Sequence, residues 1–314
     1  METTDTLGRR TRNRRKPRQK SLTLKPRDLL IFQKLHEHGD LPTPYLYAYT
    51  QHLGKDYTGL VKRLNVLFHA GYLDFPPAQR ETENANSNHF VHSINAKSES
   101  VLFDYDLLAD HVVRPSGPWK HQCMIACLTA SIELATQSTS IHFIPAHEIL
   151  QKTDNGLRAT ISIKHPATKE ITRHDLVPDG LFGLEYQTST GKKYLSFLIE
   201  ADRGTERLNS DRTDLKTFKR NVLQYREFIG RGIYKNHFGL KCGMMVLTVT
   251  TKPSIMKNMV QVTESVSTSG KNSFMLFQTV PEFGRPFKPT IPVDSLLHKE
   301  WHRAGYKPIQ IDRI

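Results

Sequence analysis

Apolar positions between Pro26 and Gly71 recur at helical spacing in three short blocks. Leu29, Leu30, Phe32 and Leu35 form a stripe that stops at Gly39. Tyr45, Leu46 and Tyr49 follow a Pro-Thr-Pro start, and Leu60, Leu64, Leu67 and Phe68 lead into Gly71. Steps of three and four bring residues onto one side of a helix, so the pattern predicts three helices with one buried face each. The period then changes: YLDFPP, a polar turn-rich stretch at 78–88, and HFVHSI read as a two-stranded hairpin.

Three helices followed by a hairpin is the layout of a winged helix-turn-helix over residues 22–98, whose third helix enters the DNA major groove. The leucines occupy the core face of that helix. Its other side offers Lys55, Tyr57, Thr58, Lys62, Arg63 and Asn65, donors of the kind that reach phosphates and base edges. Winged helices also dock proteins, so protein interaction is the competing use.

Residues 100–118, with Arg-Pro-Ser-Gly-Pro at 114–118, read as a connection into a second domain at 115–282. Its pattern predicts a helix at 119–137, strands at 157–164 and 175–185, the loop QTSTGKK, a strand at 193–202, and a helix at 213–229. A strand at 243–250, a helix at 254–266 and a strand at 272–279 follow. Adjacent strands followed by helical crossovers give an α/β domain with a mixed sheet. The Pro-rich residues 283–314 are read as a C-terminal extension without assigned elements.

Charge narrows the class of partner. The 314 residues hold 44 Lys and Arg against 31 Asp and Glu, a net +13 and a pI near 9.6, as suits a protein that works on a polyanion. Residues 1–21 contain RRTRNRRKPRQK, which cannot bury enough apolar area to order itself. It reads as a disordered arm in which Arg12, Arg14 and Arg15 meet phosphates. A solubilising tail or mitochondrial-like presequence is the blander reading. The arm lacks the apolar stretch of a secretory signal, and no apolar run is long enough to span a membrane. Three cysteines make no disulfide framework, which implies a reducing cytoplasm; Cys123 and Cys127, at i and i+4, read as small buried residues rather than zinc ligands.

The sharpest chemistry is acidic. Asp179 lies between Pro178 and Gly180, where the chain bends away from a regular ladder. In YLSFLIEAD, Leu195, Phe197, Ile199 and Ala201 alternate with Ser196, Leu198, Glu200 and Asp202, so Glu200 and Asp202 project to the same side. Carboxylates converging at neighbouring strand ends can hold one or two Mg²⁺ or Mn²⁺ ions, which polarise a phosphodiester and generate hydroxide. The competing reading pairs these acids with Arg203 and Arg207.

Pro178-Asp179, followed about twenty residues on by Glu200-x-Asp202 and a helix, resembles the PD-(D/E)xK nuclease superfamily. With a winged helix in front, the segments PDG and EADRGTE, the helix LKTFKRNVLQY and a closing strand–helix–strand, residues 22–280 are more narrowly similar to the replication-relaxation family of plasmids and mobile elements, which includes the C class of mobilisation relaxases. The resemblance implies metal ligation by Asp179 and Glu200, with Asp202 assisting. Asp202 departs from the superfamily pattern, because it stands where that pattern has its lysine. The resemblance therefore turns to the 213–229 helix for a cation, Lys219 or Lys216, to stabilise charge or position water. It also implies a nicking enzyme acting on double-stranded DNA at an origin, with other mobilisation or replication proteins as partners and a homodimer left open. A non-catalytic origin-binding regulator on the same fold and a defence-type restriction nuclease are the alternatives.

Other chemistries find less support. His36-Glu37-His38 has a charged centre, unlike the His-apolar-His triplet of tyrosine relaxases, and Tyr225 falls on the buried stripe of its helix. His121 and Glu133, on the 119–137 helix, face the metal or serve as ordinary helix residues. No phosphate-cradling GxxxxGK[ST] or dinucleotide-binding spacing occurs.

Overall fold

A computed structural model describes Arg15 and residues 22–54, 56–81, 90–114, 117–164, 169–204, 207–208, 215–284 and 291–313. The three expected N-terminal helices are α1 (Pro26–His38), α2 (Thr43–Thr50) and α3 (Tyr57–His69). Asp56 caps α3 by accepting from the Gly59 amide. Their shared core holds Ile31, Phe32, Leu35, Tyr45, Leu46, Leu60, Leu64 and Leu67. On α1 the inward residue is Ile31, while Leu29 and Leu30 are only half-buried. The hairpin forms from β2 (Leu73–Asp74) and β3 (Val91–Ile94), and a short strand before α2, β1 (Leu41–Pro42), pairs with the other edge of β3. A fourth helix, α4 (Ala96–Asp104), begins where Asn95 accepts from the Lys97 and Ser98 amides at 3.1 and 3.3 Å.

The rest of the chain is a mixed α/β layer. After α5 (Trp119–Thr136) come β4 (Ile141–Pro145), α6 (Ala146–Leu150), β5 (Ala159–Lys164), β6 (Ile171–Leu176), β7 (Gly180–Thr188) and β8 (Gly191–Asp202). Then follow α7 (Phe218–Gly230), α8 (Ile233–Phe238), β9 (Gly243–Thr250), α9 (Pro253–Val266), β10 (Met275–Thr279), α10 (Ser295–His298), β11 (Trp301–Arg303) and β12 (Tyr306–Ile309). Seven strands pair in the order β12-β11-β10-β9-β8-β7-β4; β8, β9 and β10 run parallel, and the remaining pairs are antiparallel. The separate β5–β6 hairpin packs with α7.

Three expectations change. The strand at 175–185 is two elements in different sheets, because Pro178 lacks the amide that a continuous ladder needs. The 213–229 helix starts at Phe218, where Thr217 accepts from the Arg220 amide at 3.2 Å. The C-terminal segment is structured: β11 and β12 extend the sheet, and Leu296, Leu297, Trp301 and Ile311 are fully buried in its core.

Helix α5 belongs to two cores. Met124, Ile125, Leu128, Ile132 and Ala135 pack on the sheet, while Ala126, Cys127 and Ala130 pack on the N-terminal helices. A helix buried around most of its circumference is apolar on all sides, which accounts for the sequence CMIACLTASI. Among the described residues, no helix is long and apolar enough to cross a membrane.

Candidate functional site

The alternation read along β8 sorts its side chains as expected. Leu195, Phe197, Ile199 and Ala201 face the α5 layer, and Leu198 faces Phe218 and Val222 of α7. Glu200 and Asp202 continue the α7-facing row. Gly180 pairs with Ile199, so Asp179 arrives level with Glu200, its amide donating to the Ile199 carbonyl at 2.9 Å. A Cβ at Gly180 would sit 3.2 Å from Ile199 Cδ1, a close approach that favours glycine after the aspartate.

Each acid is held by the chain. Asp179 Oδ2 accepts from the Ala201 amide at 2.8 Å, and its Oδ1 lies 3.1 Å from His121 Nε2 at the start of α5. Glu200 Oε1 accepts from the hydroxyl of Tyr225, a residue with no exposed surface. Asp202, 7% exposed, accepts from the Gly204 amide at 2.8 Å. Tyr225 is therefore a core residue, as its stripe predicts, whose hydroxyl orients an acid.

These carboxylates open into a cleft of about 620 Å³. Asp175, Asp179, Glu200 and Asp202 line it together with Arg203, Arg207, Lys216 and Arg220, and with His121, Asn221, Gln224 and Thr248. Lys219 is not among the lining residues. The cleft edge of α7 is Arg220, Asn221 and Gln224, and a step of one residue rotates Lys219 about 100° from Arg220. The cations that this segment presents beside the acids are thus Lys216, ahead of the helix, and Arg220, in addition to Arg203 and Arg207 after β8. Arg220 reads in the sequence only as a residue off the buried stripe of its helix, and Thr248 is not singled out, although hydroxyls alternating with apolar residues in MMVLTVT mark a polar row in a buried strand.

Among the described residues, the three His, Cys, Asp or Glu side chains whose ligand atoms all come within 4.8 Å are Glu37, His38 and Glu133. Lys34 already fills that position, with Nζ 2.6 Å from both Glu37 Oε2 and Glu133 Oε1. His38 Nε2 lies 2.6 Å from Glu133 Oε2, to which the Tyr49 hydroxyl donates at 2.7 Å. Burial alone would lower the lysine and raise the acid. His38 first and then Lys34 instead hold Glu133 well below its ordinary value, and Glu133 with Glu37 holds Lys34 above its own. Glu133 thus joins α5 to α1 and α2 rather than facing the cleft; of the two helix residues considered for the metal, His121 alone reaches an acid there.

On α3, Thr58, Val61, Lys62 and Asn65 form the exposed row, and Tyr57 is half-buried, edge-on to Tyr47 at 5.3 Å. Arg63 is committed elsewhere. Its Nε donates to Asp28 Oδ1 at 2.9 Å, and its Nη2 donates to Asp28 Oδ2 and, at 2.9 Å, to the Thr23 carbonyl. Arg15 also bonds within the chain, to Asp74 at 2.5 Å and to the Phe68 and Leu73 carbonyls at 3.2 Å. Arg12, Arg14 and Lys55 lie outside the described residues.

A family model described as replication-relaxation matches residues 32–242, a span that includes α3 and all three acids. No curated protein and no solved structure matches the chain.

Proposed function

The chain belongs to the replication-relaxation family, and from that premise we propose that it is a divalent-cation-dependent nicking endonuclease that binds double-stranded DNA at the origin of a plasmid or mobile element. The observation that carries this reading is the cleft, where Asp179, Glu200 and Asp202 share one face beside Lys216 and Arg220. In this reading residues 22–98 are a winged helix-turn-helix that places DNA, and the α/β unit is a PD-(D/E)xK-like nuclease.

The donor set suits Mg²⁺ or Mn²⁺. It is all oxygen, and a cation that keeps several waters needs only one or two carboxylates before substrate arrives, so a closed three-ligand cage is not required. Asp179 and Glu200 are the ligands, and Asp202 assists. When bound, such an ion polarises the phosphodiester and lowers the pKa of water. Lys216 and Arg220 then hold phosphate oxygens and stabilise the charge that develops on them, the role first sought in Lys219. Tyr225 keeps one Glu200 oxygen occupied and so fixes the direction of the other.

The test is relaxation of a supercoiled plasmid carrying the native origin, with and without Mg²⁺ or Mn²⁺. Asp179→Ala and Glu200→Ala should each lower the rate by at least about 100-fold while still shifting the DNA in a gel. A second reading, a non-catalytic origin-binding regulator, draws on the engagement of Asp179 and Glu200 by His121, Ala201 and Tyr225. Binding without cleavage by the wild type would establish it.

A further inference from the structure

The strand beside the acids carries buried hydroxyls that no described residue engages. β9 runs parallel to β8 in a register that sets Thr248 against Glu200 and Thr250 against Asp202. Leu247 and Val249 between them pack on the α5 side, so both threonines share the face of the acids. Each is 1% exposed, neither hydroxyl has a hydrogen-bond partner among the described residues, and Thr248 lines the cleft. A buried hydroxyl without a partner costs free energy, and valine would fill the same space at a strand position without that cost. The surrounding strand residues are Val246, Leu247 and Val249, so hydroxyls at 248 and 250 stand out from an apolar strand and call for a polar guest.

We propose that Thr248 is a positioning residue for the divalent cation of Asp179 and Glu200, its hydroxyl hydrogen-bonding a water in that cation's shell, with Thr250 extending the polar row beside Asp202. The inference rests on the cation-binding reading above. Its chemistry is that of a hard cation that retains waters and needs neutral oxygen partners to fix them.

Mn²⁺ titrated into the full-length protein, with free Mn²⁺ followed by electron paramagnetic resonance, tests it without reference to cleavage. Thr248→Val should weaken Mn²⁺ binding about 10-fold or more, and Thr248→Ser, which keeps the hydroxyl, should restore it. Without metal, Thr248→Val should resist urea at least as well as wild type, and its gain on adding Mn²⁺ should be smaller. Wild-type affinity in Thr248→Val, alongside lost binding in Asp179→Ala, would overturn the threonine's role and leave the cation reading standing. A metal-free Thr248→Val less stable than wild type would also overturn it, since the hydroxyl would then serve the fold. If the wild type binds no Mn²⁺, this inference and the cation reading fall together, and DNA binding by α3 is untouched.

Discussion

Lys62 and Arg63 are neighbours on α3 with opposite employments. Arg63 balances Asp28, a carboxylate with no exposed surface, whereas Lys62 stands in solvent on the row with Thr58 and Asn65. Removing one partner of a buried pair leaves the other charge uncompensated, so Arg63→Ala should cost about 3–5 kcal/mol in urea unfolding. Lys62→Ala should leave stability unchanged and reduce the salt slope of DNA binding by about one. The reverse pattern would show that Arg63 is the phosphate contact. The residue types of α3 are legible in the sequence, but the employment of Arg63 is not, because Asp28 lies 35 residues away and two helices earlier. The acids show the same limit. Alternation along β8 places Glu200 and Asp202 on one face, yet neither Tyr225 nor Thr248 can be attached to Glu200 before α7 and β9 are laid beside it.

At the scale of elements, α5 and its Glu133 network decide how the two halves of the chain meet. Glu133 is held below its ordinary value of 4.5, so its contribution is present above that pH and is lost as pH falls. Lys34 is held above 10.5, so its contribution is present below that pH and is lost as pH rises. Glu133→Ala should therefore cost about 3–5 kcal/mol near neutral pH, a difference that shrinks on acidification from about pH 7 to 3. Urea midpoints across that range check this, and a pH-independent loss would point to packing alone. Elements with an unbroken period, such as α3, β8 and α9, are readable from their own residues. The split at Pro178 and the start of α7 are not, because apolar residues continue through both and only sheet pairing or the Thr217 cap marks the boundary.

For the whole molecule, the C-terminal 32 residues matter more than their composition suggests. Proline and polar residues obscure the period of β11 and β12, but Trp301 lies fully buried beside α10 with its indole N–H donating to the Leu296 carbonyl at 3.0 Å. A chain ended after residue 282 should lose its cooperative thermal transition by circular dichroism, and Trp301→Ala should cost about 3–5 kcal/mol. A truncated chain that melts as sharply as the full one would make the segment dispensable. Of the net +13, residues 1–21 carry +6, eight Lys and Arg against two acids, whereas the cleft adds nothing, because Arg203, Arg207, Lys216 and Arg220 balance its four acids. The sharing of α5 between two cores bears on how this lineage can exchange its parts. A new N-terminal helical unit cannot be exchanged ahead of α5 as a bead on a string, because Ala126, Cys127, Ala130 and Glu133 fit the old one. Recombinants that carry α5 with that unit must refit it to the sheet instead, so the two halves of the chain are inherited as one.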